Sequence, residues 1–122
     1  MKKENIIESK SYQFAIEIVK TFRQLVEKNR EFILSKQLIR SGTSIGANIK
    51  EAEQAQSKAD FLSKMNIALK EANETSYWLN LLKDTGYLSN SDFKKLNNSC
   101  DESISILVKI VVTTKKSLGR LS

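Results

Sequence analysis

Histidine does not occur in this sequence, and neither does proline. The first absence removes the usual general base near neutral pH, the commonest metal ligand and every triad built on an imidazole. The second leaves nothing in the chain that forbids long helices. A single cysteine, Cys100, has no internal partner for a disulfide, and the opening MKKENIIESKSY lacks the apolar core of a signal peptide. Both observations lead to the expectation of a reducing, cytoplasmic setting. Long apolar runs are missing too: ISILVKIVV is short and carries Lys109, so neither a membrane span nor a membrane partner is expected. The acid pairs Glu51/Glu53 and Glu71/Glu74 suggest a carboxylate site in a bundle, but a di-iron centre needs Glu-x-x-His. With no metal, cofactor or imidazole chemistry in view, the sequence reads as nonenzymatic.

The 122 residues that are present fit one domain, 1–122, large enough to bury a core without covalent staples. Twenty Lys and Arg oppose fourteen Asp and Glu, giving a net charge of +6 and a pI near 9.5. Such a balance biases binding toward polyanions. The excess is uneven, because residues 1–40 and 94–122 each carry +4 while 41–93 carry −2.

Apolar spacing supplies the architecture. Tyr12, Ala15, Ile16, Val19, Phe22 and Val26 recur at three- and four-residue steps, the mark of an amphipathic helix. Phe14, Ile18 and Leu25 form a second stripe beside them, so the apolar face is wider than one neighbour needs and a second contact is implied. Beyond a polar connection at Lys28 to Glu31, a second helix carries Leu38, Gly42, Ile45, Ile49 and Ala52 on one seam. Ser57 before Asp60, and Ser89 before Asp92, have the spacing of helix caps. The third helix runs through Phe61, Met65, Ala68, Ala72, Leu79 and Leu82 and stops at Gly86.

In the fourth helix Phe93, Asn97, Cys100, Ile104, Leu107, Val111 and Thr114 keep a heptad step, which places Cys100 as a small buried hydrophobe. Its second half, ISILVKIVVTT, has the composition of a strand. The seam nevertheless crosses into it without a phase shift or a turn signal, which favours helix. Helices are therefore expected over roughly 10–28, 33–55, 58–85 and 90–116, with 1–9 and 117–122 loose. Short connections make the fold class all-α, an antiparallel up-down-up-down four-helix bundle.

Residues 40–55, RSGTSIGANIKEAEQA, mix glycines, hydroxyls and a strongly helical tail. A Walker-type loop needs lysine directly after its second glycine, and a dinucleotide loop needs a third glycine after a strand; neither condition is met. As helix, Gly42 and Gly46 lie one turn apart and thin one wall for close packing, which must return about 1 kcal/mol per glycine. Arg40, Ser44, Ala47 and Glu51 form a row beside that seam with Ser41 and Asn48 near it, and Arg40 is expected to pair with Glu71 or Glu74, one turn apart on the third helix, with Asn48 joining by hydrogen bond. The competing reading leaves all of them as solvated surface groups.

The run IRSGTSIGANIKEAEQAQSKADFLSKMNIALKEANETSYWLNLL resembles the signature of the bacterial four-helix bundle proteins encoded in intervening sequences of 23S ribosomal RNA genes. The resemblance rests on Arg40, Ser41, Ser44, Ile45, Asn48, Ile49 and Glu51, then on Phe61, Lys64, Ala68, Glu71, Glu74 and the Tyr77-Trp78-Leu79 run. It implies a homo-oligomer, a ring-like pentamer of such bundles. Through a relative in diversity-generating retroelements it also implies an accessory that binds nucleic acid and a reverse transcriptase. No enzyme activity comes with it, and the name records a gene location rather than a ligand.

Candidate nucleic-acid contacts are Lys94, Lys95, Lys109, Lys115, Lys116 and Arg120 near the end of the chain, with Lys10, Lys20, Arg23, Lys28 and Arg30 near its start. The expectation is a surface that holds RNA or DNA by charge, amplified by self-assembly. A protein-interaction module with no nucleic-acid role is the alternative. Tyr77 and Trp78 fit a subunit contact, a core position or base stacking.

Overall fold

The computed structural model describes residues 3–120, and every regular element among them is a helix. Helix α1 spans Lys3–Glu27, α2 Leu34–Ala52, α3 Lys58–Asp84 and α4 Asn90–Ser117. Side-chain pairs fix their directions. Between α1 and α2, Ile18 faces Gly42, Ser11 faces Gly46 and Glu8 pairs with Lys50. Between α2 and α3, Ser41 meets Thr75 and Glu51 meets Lys64. Between α3 and α4, Lys83 lies over Phe93, and the Cys100 thiol donates to the Ala72 carbonyl. One number rises as the other falls in each set, so neighbours are antiparallel. Helix α1 also packs on α4 while the diagonal pairs stay apart, giving a square of rods.

Both the α1–α2 and α3–α4 connections therefore lie at one end of the square, here the loop end. The α2–α3 connection, the start of α1 and the end of α4 share the other, the open end. Ile7, Ile18, Leu38, Ile45, Ile49, Leu79, Leu82 and Leu107 are fully buried along the axis, each worth about 1.5–3 kcal/mol of burial. The strand-like ISILVKIVVTT is helical because Leu107, Ile110, Val111 and Thr114 keep the inward phase, and packing overrides β-propensity.

Helix α1 differs from expectation twice. It begins at Lys3 rather than near residue 10, since Ile7 and Ser11 are buried and extend the core by two turns. Its inward stripe is Ile7, Phe14, Ile18 and Leu25, whereas Tyr12 is 67% exposed and Ala15, Ile16, Val19, Phe22 and Val26 are half-buried on the flank. The two stripes lie about 100° apart on a 3.6-residue helix. Spacing reveals both but not which one turns inward.

Local chemistry sets the ends. The Ser57 and Ser89 hydroxyls accept the amide protons of Asp60 and Asp92, both at 3.0 Å. Gly86, at φ +86°, closes α3 by returning its own amide to Lys83 and that of Tyr87 to Leu82. Helix α2 has no side-chain cap at Ile33; the Glu31 carboxylate reaches under its first turn instead. It accepts from the amides of Ser35 (2.7 Å), Leu34 (2.9 Å) and Ile33 (3.1 Å). Arg30 enables this by taking a left-handed φ of 54°, and the Glu31 amide returns to the Leu25 carbonyl. Burial pushes the Glu31 pKa up, but the amides aimed at the anion outweigh it and hold the group below its ordinary value.

Candidate functional site

The polar residues singled out in the sequence cluster along the seam between α2 and α3. Arg40 Nη1 donates to Glu71 Oε2 at 3.1 Å, and Arg40 Nη2 binds Glu74. The Trp78 indole N–H donates to the same Glu74 carboxylate at 2.9 Å, tying the ring down. Deeper in, the Thr75 hydroxyl donates to Ser41 Oγ (2.9 Å), which donates to the Leu38 carbonyl (3.4 Å). Asn48 does not join them: its amide donates to the Ser44 carbonyl, while the Ser44 hydroxyl donates to the Arg40 carbonyl, so both satisfy their own helix. Among the described residues no buried side-chain polar atom lacks a partner. The seam is thus a clamp between two helices.

Glu71 is only 18% exposed and Arg40 is 48% exposed. Arg40→Met should therefore lower stability in urea unfolding by about 1 kcal/mol, discounted for solvent screening. A loss under about 0.5 kcal/mol would return Arg40 to the ordinary surface class.

Gly42 and Gly46 do not play the same part. Gly42 is buried against Ile18, leaving no room for a side chain, whereas a Cβ at Gly46 would meet Ser11 at an ordinary 3.4 Å. Gly46 instead floors a groove of about 720 Å³ between α1 and α2, with Tyr12, Ala15, Thr43 and Ala47 as its walls. Glu8 and Lys50 close one end of that groove. Cys100 is fully buried, and burial, with Asp101 beside it, pushes its thiol up to about 12. That thiol is inert at neutral pH.

The candidate nucleic-acid contacts do not form one continuous face. Lys10 pairs with Glu102 and Lys20 with Glu17 (3.5 Å). Arg23, Lys28, Arg30, Lys94 and Lys95 gather toward the loop end, while Lys115, Lys116 and Arg120 lie at the open end, one turn or more beyond Lys109. Sequence reasoning missed Lys36 as a member of the loop-end group, and Thr75 and Glu31 as polar anchors. An acid placed shortly before a helix was the available signal for the last. No helix among the described residues is long and apolar enough to cross a membrane.

These features define the class: an all-α four-helix bundle whose conspicuous polar residues fasten helices to one another. Within it, the chain belongs to the 23S rRNA-intervening sequence protein family, whose profile matches residues 3–109. It is similar to a protein of unknown function from the S23 ribosomal protein family of Bacteroides thetaiotaomicron, known from a crystal structure. The two share 53% identity over 90% of this chain and 98% of that one, with a TM-score of 0.89. No curated protein matches the chain.

Proposed function

We propose that the protein is a noncatalytic, homo-oligomeric bundle that binds RNA or DNA by charge, as an accessory or scaffold in the cytoplasm. One observation carries the reading: Arg23, Lys28, Arg30, Lys36, Lys94 and Lys95 take part in no ion pair among the described residues, although they crowd one end. Uncompensated like charges cost stability, and a phosphate backbone relieves them. Assembly is supported by the flank of α1, where Val19, Phe22 and Val26 stay half-exposed beside the groove. A second subunit would cover that apolar strip, five copies being the number the family resemblance implies. Each copy adds six positive charges to the shared field.

Light scattering and fluorescence anisotropy with a random-sequence RNA test the two halves. The expected results are a mass several times the 13.9 kDa chain, and an affinity whose logarithm falls against log salt with a slope of about −3 or steeper. A monomer at micromolar concentration would remove assembly and the amplified field. Absence of binding at low salt would leave the second reading, favoured by the α1–α2 groove: an interaction module for a different protein, such as a reverse transcriptase.

A further inference from the structure

We infer that the loop end is a site for single-stranded nucleic acid, where Phe32 and Tyr87 stack on bases while the surrounding cations hold phosphates; this rests on the nucleic-acid reading above. Seven large hydrophobic side chains are exposed among the described residues, and three of them, Phe32 (44%), Ile33 (76%) and Tyr87 (38%), sit in the two short connections at this one end. Bundle connections are ordinarily polar. Rings left partly in water there need a reason, since the core already closes at Leu25, Leu38 and Leu88.

The charges around these rings point to the ligand. Segments 23–36 and 83–95 hold seven cations and four carboxylates. Of the carboxylates, Glu31 is committed to the α2 cap and Asp84 lies beside Lys83 at 3.7 Å. The positive ends of α2 and α4 are likewise committed, to Glu31 and to Ser89. Anion binding at this end therefore falls to exposed Lys and Arg side chains, which recognise a phosphate backbone without reading its sequence.

The Arg30 guanidinium lies 5.3 Å from the centroid of the Phe32 ring. A cation over one face pre-orders the ring and enriches its pairing with a base on the open side. The two connections run along opposite edges of the square, joining helices whose axes lie about 10 Å apart by ordinary packing. One or two nucleotides of an extended strand span that gap. A duplex hides its base faces and gains only the charge contacts. An anionic bilayer would also welcome rings amid lysines, but three apolar side chains, one ring lidded by a guanidinium, make a shallow anchor.

The test measures anisotropy of a labelled 12-nucleotide single strand and of the matching duplex at one fixed low salt. Phe32→Ala/Tyr87→Ala should weaken the single strand about tenfold and leave the duplex within twofold. Lys28→Glu/Lys94→Glu should weaken both. Ile67→Ala, an exposed apolar residue on the side of α3 (39%), is the control and should change neither. Circular dichroism confirms that each variant folds, which is expected because the changed side chains are exposed. If wild type binds RNA and the double alanine variant binds equally well, the stacking site is wrong while the electrostatic reading stands. If wild type binds no RNA at all, both fall. Loss of binding to phosphatidylserine vesicles in the alanine variant, with RNA binding unchanged, would overturn the inference in favour of a membrane surface.

Discussion

Gly42→Ala is expected to destabilise the protein by about 2 kcal/mol, even though alanine is the better helix former by about 1 kcal/mol. A Cβ at residue 42 would stand 2.9 Å from both Cγ1 and Cγ2 of Ile18, and 3.3 Å from its Cβ. Those atoms are the root of a β-branched side chain, which has one favoured rotamer in a helix. Ile18 is also fully buried. It cannot swing aside, so α1 and α2 must separate, at an overpacking cost of about 1–3 kcal/mol before neighbouring contacts loosen. Gly46→Ala meets Ser11 at 3.4 Å or more, and should hold stability or raise it by up to about 1 kcal/mol. Urea unfolding of both variants, with Ile18→Ala added to Gly42→Ala, completes the measurement. Coupling of about 1 kcal/mol or more is expected in the cycle. Equal tolerance at the two glycines would show that close approach at Gly42 does not set the α1–α2 spacing.

Glu31→Ala should cost about 2–3 kcal/mol, because the Ile33 amide and the first two α2 amides lose a charged acceptor and the Ser35 amide is buried where water does not replace it. The effect carries a pH signature. Its folded-state pKa lies below the ordinary 4.5, so the stabilisation is complete above the unfolded value and is lost as pH falls through the folded one. The stability gap between wild type and Glu31→Ala should stay constant from neutrality to about pH 5.5 and shrink below it. A gap that is flat down to the acid transition would mean that Glu31 acts by shape and not by charge.

How far the fold can be read depends on whether one periodicity dominates. In α2, Leu38, Gly42, Ile45, Ile49 and Ala52 are the only apolar row of consistent phase, and all five are buried. Ser57 and Ser89 announce their helices because a hydroxyl cap acts within three residues. In α1 two rows compete, and only packing against Gly42 decides that Ile18 and not Val19 turns inward. Residues 3–9 show the same limit: Ile6 and Ile7 stand among polar residues without a period, yet Ile7 is fully buried and closes the core at the open end.

The polar site divides in the same way. Arg40, Glu71 and Glu74 can be set on facing flanks from helical phase and antiparallel order alone, and in the structure they meet. Thr75 could not be found so, because a threonine at a core phase does not announce its partner until Ser41 is opposite it. Glu31 escaped because its capping depends on a left-handed Arg30, which no simple turn rule assigns to arginine. The cations were visible by charge, but their division between the two ends requires knowing which way each rod points.

Lys3 and Ser117, the limits of the outer helices, sit together at the end remote from Phe32 and Tyr87. A dye, purification handle or surface tether attached near either one would stand about 40 Å from those rings, the length of a 27-residue helix such as α3. Immobilised molecules would all present their two connecting turns outward, in one orientation and with nothing in the way.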